Sequence, residues 1–293
     1  MANHSALNYV DRGRRGELVA ALLIMRAFDA ARAASLQRSG GRWVPVDAFM
    51  EELLPQDPYS IFKESFPTFY HEKENETFAA TFKDYGIWFN HIIKVEKDKM
   101  FSTDHLWKFI TRGAMILCSN SQESIDLVIP ICHTQQALSR DSVTAILVRV
   151  KNGAKYQFKL HKPLFDGMDP IELGLFPAKV APKPVIRIVF ALSALGAGVD
   201  FPKARQRDNK FTAFDVWCAG LADKTFKNIG DDLASYRRLL ERSLRPDCHD
   251  AFELQGVQND EAKRLRISLR RKMSPLTVDD DAHHAIHLTS AAV

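Results

Sequence analysis

The sequence predicts an α/β protein in which a mixed β-sheet is flanked by helices. Three short apolar and β-branched runs follow one another at 114–119, 124–132 and 143–150, as consecutive strands do. A long stretch rich in Ala, Leu and Arg precedes them at 17–37 and predicts a helix. A fourth apolar run at 184–195 predicts another strand. This order favours one sheet with helices packed against it.

Two further regions complete the predicted architecture. Residues 42–105 combine many aromatic side chains with proline breaks, and we expect a mostly helical insertion there. Residues 1–245 would form one domain that contains this insertion, and residues 246–293 a basic, partly disordered tail. Further short helices are expected at 169–176, 212–227 and 231–244.

Composition excludes several classes of protein. The chain has 293 residues, 46% hydrophobic and 26% charged, which excludes a chain that is disordered over most of its length. Its polar start has no apolar core of a signal peptide, and no apolar run is long enough to span a bilayer. The four cysteines show no zinc or CxxC spacing. We therefore expect an intracellular protein with no membrane association and with reduced thiols.

The net charge of +4 is concentrated in the tail. Residues 261–273 have a net charge of +5, so the rest of the chain sums to −1. Such a run is often a solvated helix face, and otherwise it suggests a nuclear-localisation signal or an auxiliary nucleic-acid contact. Its basic residues are Lys263, Arg264, Arg266, Arg270, Arg271 and Lys272.

Asp126 is a carboxylate inside the apolar run 124–130. Burying it without a partner would be costly, because an unpaired charge loses its hydration. The residue therefore ends a strand with a hydrogen bond to a neighbouring turn, pairs with a cation, or lines a site. The residues alone leave these alternatives open.

Arg149 and Lys151 share one face of the strand predicted at 143–150, at its exit, because strand side chains alternate between faces. A lysine there can stabilise a phosphorane-like charge or help to place an attacking water. The alternative is a pair of solvated cations on an exposed face.

Glu17 lies on the same stripe of the first helix as small and apolar side chains such as Ala21, Ile24 and Phe28. One interpretation is that it leans toward the sheet as an outer carboxylate of a metal site. The other is that an acid in the first turn complements the helix dipole.

A helix Glu, a strand Asp and a strand that ends in Val150-Lys151-Asn152 together resemble the PD-(D/E)xK restriction-endonuclease-like superfamily. More narrowly, several stretches resemble a group of fungal proteins related to the nuclease-like C-terminal domains of Crinkler-type effectors. They are discontinuous and fall within residues 14–195. These stretches are Arg15–Leu18, Arg112–Gly113, Ser119–Gln122, Ser124–Pro130 and Ala145–Asn152.

The resemblance implies a restriction-endonuclease-like fold and Mg²⁺-dependent cleavage of phosphodiester bonds in nucleic acid. Asp126 would bind the metal, Lys151 would be the catalytic lysine and Glu17 the helix acid of the metal site. Arg149 stands where the family pattern has Glu or Gln, and an arginine cannot ligate Mg²⁺. Either Glu123 supplies the second ligand, or the site has lost catalysis and Arg149 and Lys151 contact phosphate only.

Three functions therefore compete. The first is a metal-dependent nuclease, and the second is a nucleic-acid-binding or interaction protein on a decayed nuclease fold. The third is a helical module that binds a protein partner through residues 42–105 and has no role with nucleic acid.

Overall fold

The structure is a computed structural model that describes residues 3–39, 42–71, 76–96, 101–119, 122, 124–177, 180–202, 205–207, 210–227 and 229–241. The chain divides into two units, Met1–Ser243 and Leu244–Val293, and all described residues belong to the first. Glu123, the tail predicted at 246–293 and its basic run therefore lie outside the described residues.

The described residues contain one mixed sheet of eleven strands. Its middle is an antiparallel succession of β5 (Ala114–Leu117), β6 (Leu127–His133) and β7 (Val143–Lys151). β8 (Val185–Ala191) lies parallel to β7, and β11 (Ala213–Ala219) lies parallel to β8. The three strands predicted in succession and the fourth predicted strand are thus present.

Shorter strands extend the sheet on both sides of this middle. On one side, β3 (Tyr85–Ile87) pairs with β6, β1 (Val44–Pro45) pairs with β3, and β4 (His91–Lys94) pairs with β5. On the other side, β2 (Phe69–Tyr70) and β9 (Gly198–Asp200) pair with β11, and β10 (Gln206–Arg207) pairs with β2.

Helices cover both faces of the sheet. One face of the sheet, which we call the α1 face, is covered by five helices: α1 (Asn3–Ser39), α2 (Val46–Leu53), α3 (Gln56–Lys63), α4 (Phe78–Thr81) and α7 (Leu233–Glu241). The opposite face, which we call the α6 face, is covered by α5 (Thr103–Arg112) and α6 (Lys162–Asp166). Strand alternation divides the buried side chains between the two faces. The predicted class, a mixed sheet flanked by helices, is therefore confirmed.

The stretch 42–105 differs from the mostly helical insertion that the sequence predicts. It contains α2, α3 and α4, but also β1 to β4. The aromatic residues Phe78, Phe82 and Phe89 are buried, as their spacing suggests, although helix α4 ends at Thr81 and Tyr85 begins a strand. These strands belong to the sheet, so the stretch is no separate helical module.

The helix predicted at 212–227 is wrong, because Ala213–Ala219 forms strand β11 with every residue buried. A strand buried on both faces has no polar alternation, so periodicity alone does not distinguish it from a buried helix. Residues 169–176 form turns instead of a helix, and α6 precedes them.

β8 and β11 place a buried ion pair on the α6 face of the sheet. Arg187 and Asp215 are opposite each other in the ladder, and each side chain is only 1% exposed. The guanidinium contacts both carboxylate oxygens, with Nε–Oδ1 at 2.6 Å and Nη2–Oδ2 at 2.7 Å. Its Nη1 donates to the carbonyl oxygen of Phe165 at 3.0 Å, and the Phe69 ring lies 4.8 Å away. Each charge is therefore matched by a partner.

Candidate site at the sheet edge

The site lies where β7 ends and β6 begins, close to the helix α1. Gly16 makes the approach of α1 possible, because a Cβ atom placed on it would lie 3.1 Å from the Cβ of Asn152 and 3.2 Å from Cγ1 of Val150. The helix therefore meets the end of β7 directly. Glu17, the next residue, is half-buried at this contact.

Three hydrogen bonds hold Asp126 between β5 and β7. Its N–H donates to the Val148 carbonyl at 2.9 Å, and its carbonyl accepts from the Cys118 N–H at 2.9 Å. Its Oδ2 accepts from the N–H of Val150 at 2.6 Å. The carboxylate thus accepts the hydrogen bond of a strand N–H in the place of a backbone carbonyl, which fixes the carboxylate at the end of the ladder.

The backbone immediately before Asp126 is strained. Ser124 has a φ of 73°, in the left-handed region that a residue with a Cβ atom rarely adopts. A Cβ atom placed on Gly167 would lie 2.8 Å from the Ser124 hydroxyl oxygen, so the turn after α6 packs tightly on this bend. Strain of this kind is common at functional sites, where it holds a side chain in position.

The pKa values of Asp126 and Glu17 are both raised, and burial is the main cause for each. Burial raises the pKa of Asp126, while the Val150 hydrogen bond and the charge of Lys151 lower it. Burial also raises the pKa of Glu17, and the negative charge of Asp126 adds to that rise. The two negative charges therefore repel each other in a partly buried environment, where water screens them less than at the surface.

The charges of both carboxylates act on Lys151. Burial lowers the pKa of its ammonium group, and the charge of Arg149 lowers it further, while Asp126 and Glu17 act in the opposite direction. Glu17, Asp126 and Lys151 thus form one electrostatic cluster, which we call the carboxylate–lysine cluster. The structure brings together these three candidates although they lie far apart in the sequence.

Arg149 has a structural role that the sequence did not indicate. Its Nη1 donates to the carbonyl oxygen of Leu164 in α6 at 2.9 Å. Its charge still acts on both Asp126 and Lys151. The residue therefore ties α6 to β7 and adds positive charge beside the cluster.

The sequence does not indicate two further cations of the site. Lys94 at the end of β4 and Arg14 in α1 both lower the pKa of Glu17. The run His91–Lys94 has the branched residues of a short strand, but the aromatic and proline pattern of 42–105 predicts helices there, so the pattern does not place Lys94 at the sheet edge. Four cations, with Lys151 and Arg149, thus act on two carboxylates.

In the part of the chain that the structure describes, no three His, Cys, Asp or Glu side chains are grouped as metal ligands. None of the helices there has the length and apolar character needed to cross a membrane. No protein-family model matches the chain, and no curated protein or solved structure is significantly similar to it. The restriction-endonuclease-like resemblance therefore depends on this chain's own residues.

Proposed function

We propose that the protein is a Mg²⁺-dependent phosphodiesterase that cleaves nucleic acid on a restriction-endonuclease-like fold. The observation that carries this proposal is the carboxylate–lysine cluster. The resemblance implied that Glu17, Asp126 and Lys151 belong to one site, and their charges act on one another across three separate elements. That is the combination of groups that metal-assisted phosphodiester cleavage needs.

The donor set fits Mg²⁺. Proteins hold this ion through one or two carboxylates, with water and substrate phosphate as the other ligands. Glu17 and Asp126 are half-buried and repel each other, so a divalent cation between them would stabilise both ionised forms. When bound, the ion would lower the pKa of a water molecule and polarise the phosphate.

The protein's own groups would position and stabilise the substrate. Asp126 is pre-oriented, because the Val150 N–H fixes its Oδ2. The half-buried ammonium of Lys151 would donate to a phosphate oxygen and stabilise the charge that develops during cleavage. Lys94 and Arg14 add positive potential at the same sheet edge, which would attract a polyanion.

The second candidate function is nucleic-acid binding without catalysis. The observation that favours it is the excess of positive charge, with four cations acting on two carboxylates. Arg149 contributes to this excess at the position where the family pattern has an acid. A positive site of this kind would bind phosphate without metal, and its binding would fall steeply with salt.

Cleavage of labelled nucleic acid by the full-length protein tests the first function. Single- and double-stranded DNA and RNA would be incubated with Mg²⁺, with Mn²⁺ or with EDTA. We expect metal-dependent cleavage that falls by about 100-fold or more in Asp126→Asn and Lys151→Met. Lys83→Met, which changes an exposed lysine in the turn before β3, is the matched control and should cleave like the wild type.

The same assay separates the two candidate functions. No cleavage of any of these substrates with either metal would contradict the phosphodiesterase. Binding that persists in EDTA and weakens in Arg149→Ala would then support the second function. Cleavage that is equal in wild type and Lys151→Met would show that the activity comes from another site or from a contaminant.

A further inference from the structure

A pocket of about 410 Å³ opens at the carboxyl ends of β8 and β11. This is the end of parallel strands at which α/β proteins commonly bind ligands. Its volume is in the range of small-molecule sites, which are about 300–1,000 Å³. Its wall includes Leu192, Ser193 and Gly196 after β8, Gly220 and Leu221 after β11, and Arg237 of α7.

Hydrogen bonds join the pocket wall to the end of β7. The N–H of Leu192, in the pocket wall, donates to the carbonyl oxygen of Lys151 at 2.9 Å. The hydroxyl of Ser193 donates to Oδ1 of Asn152, the residue that follows Lys151. Since β7, β8 and β11 are parallel, their carboxyl ends lie side by side. A strand of nucleic acid bound at Lys151 would therefore lie along the sheet edge at which the pocket opens.

The chemistry of the lining favours an anion. Among the described residues that line the pocket, Arg237 is the one with an ionisable side chain. Its Nη2 donates to the carbonyl oxygen of Leu221 at 3.3 Å, which holds the guanidinium at the rim. The guanidinium has five N–H donors in total, so others can contact a phosphate. A cation with no acid among the described residues of the wall favours an anionic group such as phosphate.

The rim of the pocket is built from two closely packed loops. Gly220 has a φ of +67°, and a Cβ atom on it would lie 2.6 Å from the carbonyl oxygen of Gly196. The loops after β8 and β11 therefore touch through their backbones. A pre-formed rim of this kind binds a ligand without a large ordering penalty.

An exposed aromatic side chain lies next to this rim. Phe158 is 45% exposed, and its N–H donates to the carbonyl oxygen of Leu195, which is 67% exposed. A Cβ atom on Gly196 would lie 3.3 Å from the Cβ of Phe158, and one on Gly198 would lie 2.6 Å from Cε2 of the ring, so the ring packs on Gly198 at the end of the loop that carries the pocket wall. Lys155 and Lys159 are exposed on the same segment. Aromatic rings beside cations are typical of surfaces that stack unpaired bases.

We infer that the pocket binds one nucleotide of a single-stranded nucleic acid, with Arg237 on its phosphate and Phe158 stacked on a neighbouring base. This inference rests on the proposed function, since it places the adjoining phosphate at Lys151. It goes further by naming the substrate class. A duplex would keep its bases stacked inside, so Phe158 would have no base face to contact.

Fluorescence anisotropy with the full-length protein in EDTA tests the inference. The probes are a labelled oligothymidylate of about 12 nucleotides, which is in the range of single-strand site sizes, and a duplex of the same length. We expect tighter binding of the single strand. Arg237→Ala should weaken it about tenfold and reduce the slope of log affinity against log salt by about 0.7. Phe158→Ala should weaken it about 5- to 150-fold.

Arg238→Ala is the matched control, because Arg238 is an exposed neighbour on α7 that does not line the pocket. Its affinity should equal that of the wild type. Equal losses in the two arginine variants, a preference for the duplex, or no binding of the single strand would overturn the inference. Since this binding assay contains no metal, its result does not depend on cleavage. Absence of cleavage in the separate assay with Mg²⁺ and Mn²⁺ would contradict the proposed function and leave the binding result unaffected.

Discussion

Two regions of the sheet bring opposite charges together, and they differ in how those charges are matched. Arg187 and Asp215 are fully buried, and the guanidinium contacts both carboxylate oxygens. Glu17, Asp126 and Lys151 are half-buried. Burial raises the pKa of the two carboxyl groups and lowers that of the ammonium group, so it favours the neutral form of each. The first arrangement is closed and serves the fold. The second is open to stabilisation by a ligand, which is why we assign the function to it.

The largest effect is expected from breaking the closed pair. Arg187→Met leaves the carboxylate of Asp215 buried without a partner and should lower the free energy of unfolding by about 3–5 kcal/mol. Urea denaturation followed by circular dichroism measures this loss. The double variant Arg187→Met with Asp215→Leu removes both charges and should recover most of the loss. A single variant as stable as the wild type would show that the pair does not hold the strands.

A smaller effect should separate the structural from the functional role of Asp126. Asp126→Ala leaves the N–H of Val150 without its acceptor and should lower the free energy of unfolding by about 1–3 kcal/mol. Asp126→Asn keeps an oxygen acceptor and should stay within about 0.5 kcal/mol of the wild type. Both variants should lose cleavage. Equal stability losses in the two variants would mean that the hydrogen bond is not the structural contribution.

In the cluster, removing a charge should raise stability. A raised pKa makes Glu17 contribute stability that is present at acid pH and lost as the pH rises through the folded-state pKa. At about pH 7, Glu17→Gln should therefore raise the free energy of unfolding, by up to about 1 kcal/mol because solvent screens a half-exposed group.

This gain should disappear below about pH 4, where the carboxyl is protonated in both states. The control is Glu172→Gln, which changes an exposed acid in the turns that follow α6 and should leave the unfolding curve unchanged at either pH. A loss of stability in Glu17→Gln at neutral pH would contradict the description of the cluster.

The finest effect concerns the pKa of Glu17 itself. The negative charge of Asp126 raises it and the positive charge of Lys151 lowers it. It should therefore fall in Asp126→Asn and rise in Lys151→Met, as read from the titration of the carboxyl carbon by NMR. A Glu17 pKa that is unchanged in both variants would show that the three groups are not electrostatic neighbours.

The same comparison explains how much the sequence could predict. The β-branched runs predict the strands that carry the cluster from the local sequence alone. Glu17, Asp126 and Lys151 are candidate site residues because each is a charged residue within an apolar pattern or at the end of a strand. Whether they meet depends on the packing of α1 on β7 at Gly16, which no local pattern contains.

The closed pair and β11 show what the sequence could not give. Asp215 lies in an apolar run without polar alternation, which predicts a buried helix as readily as a strand, and its partner Arg187 is 28 residues away. Likewise, the bond from Arg149 to the Leu164 carbonyl joins a strand to a later helix. Such contacts are set by tertiary packing, which single-sequence patterns do not encode.

The central claim is that Glu17 and Asp126 together bind a divalent cation, and calorimetric titration tests it most directly. The full-length protein would be titrated with Mg²⁺ and with Mn²⁺, both of which carboxylate sites accept. We predict one site in the wild type, an affinity lowered by tenfold or more in Glu17→Gln and in Asp126→Asn, and no change in Glu172→Gln. Equal binding in all four proteins, or no binding by the wild type, would contradict the account.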